Sequence, residues 1–307
     1  MKAARKAFAE TLLALAKADE SIFAVATDSR GSVTLSDFAR ELPNQFVECG
    51  IAEQDAVGIG AGLYNAGLKP FVCGPACFLS LRSAEQVKVD VAYSASNVKI
   101  IGVSGGVSYG ALGYTHHAVQ DIALMRAVAG LTVILPADAS QAEKMTRALV
   151  KFPHPTYVRM GRGEVPDVYG PDDPFEIGRA NELQIGKDIA LIACGEMVYH
   201  ALRAADILEQ SGIGATVLDM HTIQPLDETA VKKAARTGAI ITIEEHDVHG
   251  GLGAAVAEFV CQNCPVPMKI LGLPHETLYN GSSQEIFEHY GLTEQGIAKA
   301  ALHLLGR

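Results

Sequence analysis

Short apolar, β-branched runs alternate with longer stretches of helical periodicity along the whole chain, and this alternation most limits what it can fold into. "SIFAVATD", "QFVECG", "KPFVCG", "VKIIGVSG", "LTVILPA" and "PTYVRMG" are separated by helical segments such as "RSAEQVKVDVAYSA", "VQDIALMRAVAG" and "SQAEKMTRALVKF". A strand followed by a helix returns to the sheet in the same direction, so the pattern predicts parallel sheets covered on both faces. "GRGEVPDVYGPDDPFEIG" breaks the rhythm with prolines and aspartates and reads as a linker. A second series follows, from "KDIALIACG" through "ATVLDM", "AIITIEEH" and "PMKILGLP" to two final helices. The expectation is an α/β protein of two three-layer α/β/α domains with mainly parallel sheets, at residues 1–166 and 183–307, joined by a linker at 167–182.

The formal net charge of −10 argues against nucleic acid, which requires a basic face. No apolar run approaches the roughly 20 residues of a membrane-spanning helix. "MKAARKAFAETLLALAKADE" reads as an amphipathic helix, not a signal peptide. Six cysteines, mostly in apolar contexts of a chain large enough to fold without staples, suggest reduced thiols and a cytoplasmic location. Cys261 and Cys264 form a lone CxxC without a second pair and read as a helix end, so no metal site is expected there.

No Walker-type phosphate loop appears, and "GIGAG" at Gly58–Gly62 lies inside a helical pattern, where glycines permit close packing. "HGGLGAAVAE" has the glycine-then-helix form but stands alone. In "FVECGIAEQDAVGIGAGL", Glu53 and Asp55 fall where an extended run turns into an apolar helix. Helix dipoles favour acids in the first turn. The following helix is so apolar that its start should be buried, and a buried carboxylate needs either a proton or a partner. "GGVSYGALGYTHHAVQD" places His116 and His117 after a strand, at the sheet edge where parallel α/β proteins bind ligands. Adjacent histidines cannot readily chelate one metal together, so acid/base or hydrogen-bonding work is the sharper reading, against one packing and one solvated ring.

"FVECGIAEQDAVGIGAGL", "LGYTHHAVQDIALMRAV", "LTVILPADASQAE" and "PTYVRMGRGEVP" resemble, in that order, the pyrimidine-binding domain of transketolases. "IGRANELQIGKDIALIACG", "LDMHTIQPLD", "IITIEEHDVHGGLGAAVAE" and "YNGSSQEIFEHYGL" resemble the carboxyl-terminal domain of that family. The family's separate domain, whose GDG…N motif holds the diphosphate and Mg²⁺ of thiamine diphosphate, has no counterpart here. The resemblance therefore implies the β subunit of a split transketolase. Its cofactor is thiamine diphosphate, with Mg²⁺ held mainly by a companion α subunit in an α₂β₂ assembly. Its substrate is a sugar or sugar phosphate.

Carried over by resemblance, Glu53 bonds N1′ of the cofactor's aminopyrimidine and so helps form the ylid, burial keeping its proton in place. Phe78 stacks on that ring, the alternative being core packing. Asp28 lies near the cofactor where the two subunits meet, the alternative being a turn residue. His116 contacts the oxygen of the reacting carbonyl. Arg162 and Ser32 bind substrate phosphate, with Arg159 as a rival to Arg162. Leu112 stands where an aspartate commonly recognises sugar hydroxyls, and Ser104 where many members have a phosphate-contacting histidine. Pro75 and Leu81 replace pocket aromatics. The expected activity is transfer of a two-carbon ketol unit from a ketose to an aldose. The alternatives are the E1 β subunit of a 2-oxoacid dehydrogenase and a noncatalytic partner-binding subunit.

Overall fold

The computed structural model describes residues 1–307. In the amino-terminal part the strands are β1 (Lys2–Ala3), β2 (Ile22–Ala26), β3 (Phe46–Glu48), β4 (Lys69–Pro75), β5 (Lys99–Val103), β6 (Thr132–Ile134), β7 (Thr156–Met160) and β8 (Glu164–Val165). The carboxyl-terminal part adds β9 (Asn181–Gln184), β10 (Ile189–Ala193), β11 (Ala215–Asp219), β12 (Thr222–Gln224), β13 (Ile240–Asp247) and β14 (Met268–Leu273). One sheet has the order β12-β6-β7-β5-β4-β2-β3 and the other β14-β13-β10-β11-β9. All neighbours in both are parallel except the edge strands β12 and β9, which run antiparallel. The short pair β1–β8 stands apart from both.

The central strands β5, β7, β10 and β11 are buried at every position, which is why they read as continuous apolar runs without alternation. Helices cover both faces, and separate clusters of buried side chains fill the space on either side. The helix Glu53–Asn65 lies close to the first sheet because Gly60 leaves no room for more: a β-carbon there would sit 2.7 Å from Val72 Cγ2. Gly58 and Gly62 face open space, so close packing accounts for one of the three glycines.

Two features cross the expected division of the chain. β12 comes from the carboxyl-terminal part yet closes the edge of the amino-terminal sheet, pairing Thr222 with Ile134. β9 starts within the stretch read as linker and pairs with β11. The glycine-then-helix turn at Gly250–Gly253 is closed internally. Glu244 on β13 accepts the backbone N–H of Leu252 at 2.7 Å and of Gly253 at 2.8 Å, so a protein carboxylate stands where an anion would. Burial pushes the Glu244 carboxyl up to about 7. Cys261 and Cys264 sit in the last turn and cap of the helix Leu252–Asn263, and all six thiols are free. No helix is long and apolar enough to cross a membrane.

Candidate functional site

Strands β2, β4, β5 and β7 point their carboxyl ends the same way, and the loops that follow them carry most of the residues singled out by sequence. Asp28 follows β2, Phe78 lies just beyond β4, Ser104 follows β5 and Arg162 follows β7. This edge is where open parallel sheets bind ligands. Two of these residues hold left-handed backbone, Asp28 with φ 53° and Ser104 with φ 61°. A non-glycine residue in that region costs of order 1 kcal/mol or more and is concentrated at functional edges.

Glu53 opens the helix Glu53–Asn65 and is 4 % exposed. Its two carboxylate oxygens each accept from Arg82 Nη1 at 3.1 Å. Of the two outcomes open to a buried carboxylate, a proton or a partner, the structure supplies the partner: Arg82. Arg82 ends the helix Ala76–Arg82, four residues after Phe78, which puts both on one helix face. Its guanidinium lies 4.1 Å over the Phe78 ring. Phe78 in turn meets His116 edge-on at 5.2 Å, His116 meets Tyr109 at 5.4 Å, and Arg162 lies 5.2 Å over Tyr109. The result is one continuous row: Glu53, Arg82, Phe78, His116, Tyr109, Arg162.

The two adjacent histidines have different surroundings. His117 is buried, its Nε2 donates to Gly110 O at 3.0 Å, and burial lowers its basicity. It holds the loop Gly105–His117 in shape. His116 is half-buried, with Nδ1 3.0 Å from the Thr115 hydroxyl, and shares the row with Phe78. Leu112 and Tyr114, on the same loop, are exposed.

At the far end of the row, Arg5 brings a second guanidinium. Its Nε donates to Arg162 O at 2.9 Å and its Nη1 to Ser32 O at 2.7 Å. Arg5, Ser32 and Arg162 are thus gathered from three distant points of the chain. Burial and the neighbouring Arg162 charge both press on the Arg5 guanidinium, lowering its pKa. Arg162 Nη1 is buried without a partner, a cost that an anionic ligand would offset. A cleft of about 970 Å³ opens beside Arg5 and Arg162, with Ser108, Glu196, His200 and Ser283 among its walls. Arg159, the rival to Arg162, is occupied elsewhere: it pairs with Glu245 at 3.0 Å and lies 3.8 Å from Asp121, inside the junction between the two sheets' domains. Asp28 is exposed and does not join the row, its N–H donating to Glu48 at 2.7 Å.

Sequence reasoning missed Arg82, Tyr109 and Arg5. The i,i+4 spacing of Phe78 and Arg82 was a usable signal. Nothing local marks Arg5, because its neighbours Ser32 and Arg162 reach it only through the fold.

The fold and this row define a class: a two-domain α/β chain presenting a carboxylate, an aromatic ring, a histidine and paired guanidinium groups along one sheet edge. Residues 1–168 match the family described as transketolase, pyrimidine binding domain, and residues 178–297 match transketolase, C-terminal domain. A relative from Phocaeicola vulgatus, named as one of the subunits of apulose-4-phosphate transketolase, is 59 % identical over 307 residues, covering 99 % of this chain and 98 % of the relative. The SqwH protein of Clostridium sp. (strain MSTE9), named as a subunit of 6-deoxy-6-sulfo-D-fructose transketolase, is 36 % identical over 298 residues, covering 97 % and 92 %. Among solved structures, "Split gene transketolase, inactive beta4 tetramer" superposes with a TM-score of 0.92 at 36 % identity, covering 100 % of this chain and 99 % of that one. The chain belongs to the transketolase family and is the β, or carboxyl-terminal, subunit of a split transketolase, an enzyme completed by a companion subunit.

Proposed function

We propose that this chain supplies the pyrimidine-activating and substrate-gripping half of a transketolase that takes a phosphorylated ketose as donor. The row from Glu53 to Arg162 carries the reading, because it sets a carboxylate, a stacking ring, a histidine and a phosphate-type anchor in the sequence that ketol transfer requires. The family implies thiamine diphosphate, which when bound supplies a nucleophilic carbon able to hold a two-carbon unit. The residues here fit its aminopyrimidine: Phe78 offers a ring to stack on and Glu53 a buried carboxylate that can accept a hydrogen bond from a protonated N1′. His116 stands next along the row, positioned to donate to the oxygen of the reacting carbonyl. Arg162 and Arg5, with Ser32, grip the distal phosphate.

Mg²⁺ and the diphosphate are held by the companion subunit in an α₂β₂ assembly, and the enzyme works in the cytoplasm, where its free thiols stay reduced. The name of the Phocaeicola relative makes apulose 4-phosphate the first donor to test. Leu112 is consistent with a donor that needs no hydroxyl recognised at that point, since its side chain accepts no hydrogen bond.

The test is to co-express this chain with a companion subunit and assay phosphorylated ketoses, apulose 4-phosphate first, for release of the shortened product with and without thiamine diphosphate. Cofactor-dependent cleavage is expected. Turnover of a 2-oxoacid with an electron acceptor, without ketose cleavage, would overturn the reading in favour of a dehydrogenase E1 subunit.

A further inference from the structure

We infer that Asp247, His249 and His275 form a binding site for one divalent transition-metal ion of the zinc type, separate from the row described above. Asp247 ends β13, is 5 % exposed, and directs both carboxylate oxygens toward an imidazole. Oδ1 lies 2.9 Å from His249 Nδ1 and Oδ2 lies 2.6 Å from His275 Nδ1. The three ligating atoms fall within 4.8 Å of one another, and the two rings meet edge-on at 4.8 Å. Both imidazoles are largely exposed, 70 % and 73 %, so an ion reaches them from solvent and keeps room for water as a further ligand. Two imidazoles and one carboxylate suit zinc and its neighbours, whereas Mg²⁺ and Ca²⁺ prefer all-oxygen shells. The donor set is therefore different in kind from the one a diphosphate-bound Mg²⁺ would want.

The base of the site is rigid. Asp247 N–H donates to Val119 O at 2.9 Å, which ties it to the segment just after His117, and Oδ1 also accepts the His249 backbone N–H at 2.9 Å. His275 instead begins the loop 275–282, which reaches over the other domain. A β-carbon on Gly113 would lie 2.8 Å from Asn280 Oδ1, and one on Gly110 would lie 2.7 Å from Gly281 O. An ion bridging His275 to Asp247 and His249 pins the start of this loop to β13, and through the loop it steadies the segment that carries His116.

The untagged full-length chain, stripped with EDTA, is titrated with Zn²⁺ by calorimetry and with Co²⁺ by visible absorption. One Zn²⁺ per chain and Co²⁺ bands of a four- or five-coordinate nitrogen/oxygen site are expected. The double variant His249→Ala/His275→Ala should bind at least tenfold more weakly and lose the bands, while its circular dichroism shows the chain still folded. His275→Gln alone, at an exposed position, gives the same reading should the double variant misfold. Zn²⁺ should also slow amide exchange across residues 107–117 in the parent and not in the variant. Metal binding that survives removal of both histidines, or no binding by the parent, overturns the site; unchanged exchange overturns the bracing role.

Discussion

Glu53 and Arg82 show how one side chain's surroundings set its task. A buried carboxylate that keeps a guanidinium partner loses much when either member is removed, because the other is left uncompensated. Arg82→Met is therefore expected to lower stability by roughly 1–2 kcal/mol, between the values for exposed and fully buried pairs because Arg82 is half exposed to water. Denaturant unfolding of the chain measures it, and an unchanged midpoint would mean that the pair contributes nothing. Glu53→Gln keeps the shape and loses the acid. In the reconstituted complex it should reduce turnover by about 10²–10⁴-fold, the range general acid–base groups supply, with assembly intact by size-exclusion chromatography. Full activity in that variant would remove Glu53 from the mechanism. At the same scale the pair of histidines divides cleanly: His117 Nε2 is committed to Gly110 O, whereas half-buried His116 has the Thr115 hydroxyl beside its Nδ1.

Among the elements, the loop Gly105–His117 is constrained by contacts outside itself. Gly106 has φ 58°, and a β-carbon on it would lie 2.1 Å from Glu245 Cδ and 2.2 Å from Arg159 Nη2. Val107 N–H, next along, donates to Glu245 Oε1 at 2.7 Å. Gly106→Ala thus combines unfavourable backbone with a clash against a buried ion pair, and overpacking of this kind costs roughly 1–3 kcal/mol. Thermal melting should show the loss, and steady-state kinetics of the complex should show reduced turnover as the loop carrying His116 shifts. A variant as stable and active as the parent would show that the loop tolerates the displacement. The strands and helices around this loop were legible as sequence because apolar periodicity is local. The loop's shape was not, since it depends on Arg159 and Glu245, the latter 138 residues from Val107.

Across the whole molecule, a set of buried acids lies between the two sheets' domains and ties stability to pH. Asp219, at the end of β11, accepts from Gln141 Nε2 and from the Tyr169 hydroxyl, both at 2.6 Å, while Oδ1 is buried without a partner. Burial pushes its carboxyl up to about 7, well above an unfolded aspartate near 3.9. The folded chain then holds a proton that the unfolded chain has released, so this contribution is full below about pH 4 and is lost as pH rises through about 7. Asp219→Asn cannot lose it. The melting temperature of the variant should gain on that of the parent as pH rises from about 4 to 8, and a pH-independent difference would contradict the shift. Glu196, half-buried at the cleft wall, is raised by desolvation and then by Glu245 and acts in the same direction. Assembly belongs to this scale too: the isolated chain should bind thiamine diphosphate far more weakly than the complex by calorimetry. Equal affinities would place the diphosphate site in this chain.

The sequence by itself determined the two largely parallel α/β sheets, the sheet edge that carries most of the candidate site residues, the position of Glu53 at a helix start and the membership of the transketolase family. Each follows from local periodicity or from an ordered set of motifs. Only the tertiary structure decided that Glu53 is paired with Arg82, that Arg159 belongs to the domain junction while Arg162 joins Arg5, and that β12 crosses into the other sheet. The physical reason is the same in each case. A charge's partner and a strand's edge are chosen by proximity in space, and residues such as Arg5 and Arg162, 157 positions apart, carry no local trace of meeting.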